Sequence, residues 1–275
     1  RNNYRIIKVE LTCGKDRGMG RIIAITNQKG GVGKTTTAIN LSACLAEAGQ
    51  RVLTVDFDPQ GNATSGIGVD KRKLESSIYD VLINHEPVRQ AILHSAVQNL
   101  DVLPSNIDLA GAEIEMVSMI SRETILARAV QEIREEYDYI FIDAPPSLGL
   151  ITLNAFAAAD QVLIPIQCEF YALEGLSQLI KTISLIKKHI NKTLEVEGVV
   201  LTMYDGRTNL SIQVVEEVKR FFTQKVHRSV IPRNVRLGEA PSHGKPITVY
   251  DPKCAGAEAY MDLARELMET EDKNG

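Results

Sequence analysis

The chain predicts an α/β fold, a mostly parallel twisted sheet with helices on both faces. Three observations predict it. From Arg21 onward, apolar runs of strand length alternate with stretches at helical period. Ile22, Ile23, Ala24 and Ile25 form an unbroken apolar run, as in a strand covered on both faces, and a glycine-rich turn follows it directly. With 44% apolar and 24% charged residues, the 275-residue composition is that of a soluble globular protein with a sizeable core.

The elements follow in order. After the first strand, a helix over Lys34–Ala48 ends at Gly49, a good helix stop. Arg51–Asp56 is the second strand, ending in Asp56-Phe57-Asp58-Pro59. Residues 64–95 read as a looser region with short helices, and Leu100–Leu103 as a strand. Helices are expected over 107–120 and 122–136, the second with Ile125, Leu126, Ala129 and Ile133 on one face. Tyr139–Ile142 is a strand closing on Asp143. Then come a helix 149–158, a strand 161–166, a long helix 170–190, a strand 196–203, a helix 209–223, a short strand near 229–232 and a final helix 256–269. Nothing repeats and no linker interrupts the pattern, so residues 19–275 read as one domain. Residues 1–18 read as an N-terminal extension carrying no function, ahead of a Met19-Gly20-Arg21 that looks like a natural start; their short apolar stretch, broken by Lys8 and Glu10, is no signal peptide.

The chemistry concentrates in Ile22–Asn40, IIAITNQKGGVGKTTTAIN. The phosphate-loop template begins with Gly, and here Gln28 stands in that place; Gly33, Lys34 and Thr35 supply its GKT end, between a strand and a helix as the template requires. The fold expected is therefore that of a P-loop NTPase. Gly30, Gly31 and Gly33 let backbone N–H groups close on phosphate oxygens, and Val32 adds no competing polar group. The helix starting at Lys34 adds the positive end of its dipole. Lys34 is placed to neutralise β- and γ-phosphates, Thr35 to offer a hydroxyl to Mg²⁺, and Thr36 to reach the α-phosphate. Asp143, Asp56 and Asp58 end strands on the edge where such sheets bind ligands. Taken alone, each is an ordinary turn or cap carboxylate, and Lys29 an ordinary solvated loop lysine.

The string KGGVGKTT resembles the deviant Walker A motif of the ParA/MinD ATPases. Residues 19–270 are similar to the chromosomal ParA/Soj branch, through DPQGNATSG (58–66), LAGAEIE (109–115), DAPPSLG (143–149), CEFYALEGLSQL (168–179), RTNL (207–210) and IPRNVRLGEAPSHGKPI (231–247). The resemblance implies ATP hydrolysis coupled to formation of a homodimer. Lys29 would reach the partner subunit's nucleotide. Asp143 would hold Mg²⁺ as a Walker B aspartate, Asp56 would support the metal shell, and Asp58 would orient the attacking water, a task of positioning more than of basicity. Gln60, Gly61 and Asn62 would form a switch loop. Pro232 and Asn234 would contact the adenine ring and its exocyclic amine, with Met203 a wall candidate that is equally well simple core.

The resemblance also implies that the ATP dimer binds double-stranded DNA non-specifically and that a ParB/Spo0J-type protein, through a short basic N-terminal segment, stimulates hydrolysis. The role would be chromosome or plasmid partitioning, with control of replication initiation in some members. Arg207 and Arg236 match family arginines that contact DNA. Lys219, Arg220, Lys225 and Arg228 gather at the end of helix 209–223, whose Leu210, Ile212, Val215, Val218 and Phe222 are expected in the core; together with Arg207, Arg233 and Arg236 they would form one positive surface. Against this stand the net charge of −4 and the plain alternative of a solvated basic face. Such a surface would grip phosphates and lose affinity steeply with salt.

Competing readings are weaker. A MinD-like membrane ATPase shares the loop but needs a basic amphipathic C-terminal helix, and this tail carries Asp262, Glu266, Glu269, Glu271 and Asp272. A nitrogenase-reductase-like carrier needs paired cysteines near 110–150; Cys13, Cys44, Cys168 and Cys254 lie far apart. A small-molecule synthetase or kinase on the same fold stays open. With no apolar run of about 18 residues, and scattered cysteines, the expected location is the cytoplasm, on the nucleoid and away from membranes.

Overall fold

The computed structural model describes residues 19–169, 176–222 and 225–274, with side chains as far as residue 269. The extension 1–18, the first turns of the helix expected from 170, the last residue of that expected to end at 223, and the side chains of Glu271 and Asp272 lie outside the described residues.

Eight strands run as β1 Arg21–Ile25, β2 Val52–Asp56, β3 Leu93–His94, β4 Leu100–Leu103, β5 Tyr139–Asp143, β6 Gln161–Gln167, β7 Glu195–Tyr204 and β8 Val226–Pro232. They make one sheet in the order β3-β4-β2-β5-β1-β6-β7-β8. β3 pairs antiparallel with β4, and the other neighbours pair parallel. β3 is not legible in the sequence because both of its residues are exposed, so it carries no burial pattern.

Each central strand is buried on both sides, and alternate residues feed two cores. Ile22 and Ala24, Leu53 and Val55, and Ile140 and Ile142 pack beneath helices Leu109–Met116, Ile125–Gln131, Leu150–Ala158 and Leu176–His189. Ile23 and Ile25, Val52, and Tyr139 and Phe141 pack beneath helix Lys34–Glu47 and the C-terminal helix Ala255–Asn274. Each such side chain contributes about 1.5–3 kcal/mol on burial. Parallel register aligns Ile25 and Asp56 on either side of Asp143, so three strand ends share one line. The loops that leave this line form the candidate site.

Several expected helices are shorter. The span 107–120 is helical only over Leu109–Met116, and 122–136 breaks into a 3₁₀ turn, helix Ile125–Gln131 and a second 3₁₀ turn where the chain bends into β5. In helix Asn209–Phe222 the buried line is Ser211, Val214 and Val218, with Val215 and Phe222 packed at its edge. Leu210 and Ile212, expected in the core, are 39% and 43% exposed. At 100° per residue, a helix that points 211, 214 and 218 inward turns 210 and 212 to its flanks.

Candidate nucleotide site

The glycine loop between β1 and helix Lys34–Glu47 needs glycine at two points: Gly31 and Gly33 have φ of 74° and 90°, a region that side chains rarely adopt. A Cβ on Gly30 or Gly31 would meet nothing within 4 Å, so the space over the loop is open. Below, the loop is strapped down. Asn27 Nδ2 donates to Pro165 O at 2.8 Å, Lys29 N–H donates to Asn27 Oδ1 at 3.0 Å, and Thr202 Oγ1 donates to Val32 O at 2.8 Å. The helix that follows has no side-chain cap and no acidic residue in its first turn. Its first N–H groups and its dipole therefore face the open space as an anion site. Thr35 and Thr36 sit half-buried at that end.

Beside the loop stand the charges. Lys34 is buried, and its Nζ donates to Lys29 O at 3.0 Å. Burial lowers its pKa, and the charges of Asp143 and Asp58 work against that. Asp56 is fully buried, and Oδ2 accepts from both the N–H and the hydroxyl of Thr64 at 2.7 Å. Burial still pushes its carboxyl up to about 6. Asp143 is equally buried, and neither of its oxygens has a hydrogen-bond partner. Burial first and the Asp56 charge second raise it well above the usual carboxylate range, with the nearby Thr35 hydroxyl and Lys34 only partly opposing. An unpartnered buried carboxylate of this kind costs about 1–3 kcal/mol or more and is expected at functional sites. Asp58 is half-buried, and its Oδ1 accepts from Gln60 N–H at 2.9 Å. The phosphate loop with Lys34 and Thr35, Asp56 with Asp58, and Asp143 thus meet at one place, from three separate stretches of chain.

Lys29 leans away from this group. Its Nζ lies 3.7 Å from Glu169 Oε2, and the same carboxylate faces Arg233 at 3.5 Å and accepts from Gln167. Across the helix N-terminus a cavity of about 370 Å³ opens between Thr36, Met203, Pro232, Asn234, Leu237 and Tyr260. Met203 holds φ 51°, a left-handed conformation that a Met adopts only when its surroundings impose it. Asn234 caps helix Val235–Glu239, its Oδ1 accepting from Arg236 N–H at 2.8 Å. The acceptor expected to meet an exocyclic amine is therefore shared with a helix cap.

The basic residues do not form the single surface expected. Arg207 and Arg236 follow the carboxyl ends of β7 and β8, on the edge of the nucleotide site. Lys219 and Arg220 lie at the opposite end of helix Asn209–Phe222, about 15 Å away by helix rise. Lys225 and Arg228 lie with them and pair with Glu195, at 3.8 Å, and Glu269, at 2.9 Å. Arg207 is held by Asp205 at 2.7 Å, and Arg236 by Glu239 at 2.9 Å.

Sequence reading missed Thr64, Thr202, Glu169 and Tyr260. Thr64 lies inside the string DPQGNATSG, and its spacing from Asp56 was the available signal. Tyr260, which bonds Thr37 at 3.1 Å, stands far along the chain and carried none.

Comparison with known proteins agrees with this geometry. Residues 20–196 match the family model described as an AAA domain. The sporulation initiation inhibitor protein Soj of Bacillus subtilis is 63% identical over 90% of this chain and 98% of its own length. The chromosome partitioning protein ParA of Myxococcus xanthus is 56% identical over 91% of this chain and 88% of its own. Among solved structures, a cobyrinic acid a,c-diamide synthase from Mycobacterium smegmatis with bound ADP and magnesium superposes with a TM-score of 0.83, at 37% identity over 94% of this chain and 97% of that one. On its sequence, its fold and the arrangement of its phosphate loop, the chain belongs to the Soj/ParA family of chromosome-partitioning ATPases.

Proposed function

We propose that residues 19–275 act as one ATPase unit, a switch that binds ATP with Mg²⁺, dimerises in that state, holds double-stranded DNA without sequence preference, and is reset by hydrolysis when a ParB/Spo0J-type protein engages it. The observation that carries the reading is Asp143, fully buried with both oxygens unpartnered beside Lys34 and under the open glycine loop. Lys34 and the Thr35 hydroxyl offset its charge only in part, so the donor set fits a magnesium–nucleotide pair. Thr35 and Asp143 would hold the metal, with Asp56 fixed behind them by Thr64. When bound, the metal supplies charge neutralisation to the β- and γ-phosphates.

The chain's own groups do the rest. Lys34 exchanges its bond with Lys29 O for phosphate oxygens, and the loop N–H groups and helix dipole cradle the phosphates. Asp58 keeps Oδ1 on Gln60 N–H and offers Oδ2 to a water in line with the γ-phosphate. Met203, Pro232 and Asn234 receive the base, and Lys29 exchanges Glu169 for the partner subunit's nucleotide. DNA would be held by Arg207 and Arg236, with Lys219 and Arg220 a second contact. The cellular place would be the cytoplasm, on the nucleoid, and the task chromosome or plasmid partitioning, with replication control a further role.

A MinD-like membrane role fits poorly. No helix among the described residues is long and apolar enough to cross a membrane. Among the described residues, the C-terminal helix turns its apolar line, Tyr260, Leu263, Ala264 and Leu267, to the core and not to lipid.

The test is retention of the protein on DNA at low salt, with ATP, with ADP, and with ATP plus a candidate ParB. Retention is expected with ATP alone and release on addition of ParB. Lys34→Ala should lose nucleotide binding, and Asp58→Ala should remain on DNA as an ATP dimer. An Asp58→Ala protein that stays monomeric with ATP and Mg²⁺ in gel filtration sinks the role assigned to Asp58.

A further inference from the structure

Helix Leu109–Met116 turns one face to the core, with Leu109, Ala112 and Met116 buried. Away from that face, in the helix and in the turns at its two ends, four large apolar side chains are uncovered: Ile107, Ile114, Val117 and Ile120 are 67%, 79%, 59% and 91% exposed. Ile114 lies on the helix, Ile107 in the turn that leads into it and Val117 and Ile120 in the turns that leave it, so four exposed apolar side chains fall close together in sequence around one short helix. Large apolar side chains exposed this heavily and this close in sequence, here called the stripe, mark an interaction site rather than ordinary surface.

The charge around the stripe selects its occupant. From Ile107 to Glu123 the chain carries four carboxylates, Asp108, Glu113, Glu115 and Glu123, against one guanidinium. That guanidinium, Arg122, is engaged with Glu123 at 3.2 Å and with Val117 O at 2.6 Å. A second copy of this chain docking stripe to stripe about a two-fold axis would bring acidic rim against acidic rim. A basic amphipathic helix from another protein would meet both the apolar line and the carboxylates.

The stripe is also tied to the nucleotide site at two points. Glu113 Oε1 accepts from Ile151 N–H at 3.2 Å, and a Cβ on Gly149 would collide with the same carboxylate, so the helix bears on the loop leaving Asp143. Ser105, just ahead of the helix, donates its N–H to Thr64 Oγ1 at 2.9 Å, and Thr64 donates to Asp56.

From these we infer that the stripe Ile107–Ile114–Val117–Ile120 is the docking surface for a basic amphipathic segment of a protein partner, whose seating bears on the loops after Asp143 and Asp56. This rests on the reading of the site as a switch reset by a partner, and it assigns that partner a place.

The experiment uses the full chain with ATP and Mg²⁺ and a fluorescent peptide of the basic N-terminal segment of the ParB-type protein from the same organism. Binding is read by anisotropy, beside basal ATPase, gel filtration and DNA retention. The double variant Ile114→Ser, Ile120→Ser should bind the peptide about tenfold or more weakly. Glu115→Lys should bind it more weakly at low salt, and Leu185→Ser, an exposed apolar site on another helix, should bind as wild type. Basal ATPase, ATP dimerisation and DNA retention should be unchanged in all three. Peptide affinity unaltered in the double variant overturns the inference, and so does loss of its ATP dimer, which would give the stripe to self-association. A wild-type chain that holds DNA with ATP but ignores the peptide also overturns it while leaving the proposed function standing; a wild-type chain that never holds DNA sinks the function instead.

Discussion

Asp143 and Asp56 stand in register on adjacent strands, both buried, and the protein folds around that repulsion. A carboxyl whose folded pKa is raised opposes folding once pH exceeds its unfolded value, and the opposition disappears as pH falls. At neutral pH, removing the Asp143 charge should therefore stabilise the chain without nucleotide. Asp143→Asn is expected to gain about 1–3 kcal/mol, read as a melting temperature higher by about 2–4 °C for each kcal/mol, while ATP hydrolysis falls by about 100-fold or more. A melting temperature at or below wild type would show that the paired charges do not strain the fold. This is also the scale at which sequence was most informative. Lys34 and Thr35 stood out because a phosphate loop needs those groups at fixed offsets from a strand end, while Asp58 and Asp143 stood out only through the family resemblance. Glu169 and Tyr260 did not, because nothing local distinguishes a carboxylate that steadies Lys29, or a tyrosine that lines the cavity beside Met203 and Pro232, from any other Glu or core Tyr.

Among elements, the C-terminal helix Ala255–Asn274, packed on the core through Tyr260, Leu263 and Leu267, is also held by a buried ionic clamp. His227 on β8 has its Nε2 2.7 Å from Glu197 Oε2 and its Nδ1 3.4 Å from Glu266 Oε1, and all three side chains are largely buried. Burial alone would lower the imidazole; the hydrogen bonds to Glu197 and Glu266 outweigh it and hold it up at about 9. Burial likewise favours a protonated Glu266, but His227 and the donors of Arg228 and Ser229 bring it down to about 2. The histidine's contribution is therefore complete below about 6.5 and lost as pH rises through about 9. That of Glu266 is present above about 4.5 and lost as pH falls towards 2. Wild type should lose melting temperature between pH 7 and 10, and His227→Gln should show a shallower fall over that range. At pH 6.5 the variant should also be about 3–5 kcal/mol less stable, since it leaves two buried carboxylates. Parallel pH profiles for the two proteins would sink the clamp. The clamp is not legible in the sequence, because its three residues come from separate elements. The apolar runs of β1, β2 and β5 were legible, since burial on both faces writes itself as an unbroken string. The flanks of helix Asn209–Phe222 were not, because a leucine or isoleucine one step off the buried line still looks like core.

At the scale of the whole molecule the question is how a chain of net charge −4 would hold the polyanion that the proposed function requires. The cations offered for DNA are already answered at home. Arg207 is gripped by Asp205 through bonds at 2.7 and 2.8 Å, which hold the half-buried Asp205 carboxyl down at about 2, and Arg236 by Glu239. On the proposed function, DNA phosphates would compete with these carboxylates, so binding would rest on a dimer that gathers several such arginines on one face. Alone, each exposed pair has little net energy to offer. The arrangement makes the intrachain acids the adjustable part. Asp205→Ala should free Arg207 and strengthen ATP-dependent DNA retention at a given salt concentration, leaving ATP binding unchanged. Arg207→Glu should abolish retention and keep ATP-driven dimerisation. For a loss of one phosphate contact per site, the slope of log affinity against log salt should fall by about 1. Lys219→Glu, about 15 Å from Arg207 along the helix, separates the two clusters. If DNA lies along the nucleotide edge alone, its retention matches wild type; if the strand also spans the far end of helix Asn209–Phe222, it weakens and its salt slope drops as well. Weaker retention by Asp205→Ala would mean that the carboxylate positions Arg207 for phosphate instead of competing with it, and the sign of its electrostatic effect on DNA binding would be reversed at that residue.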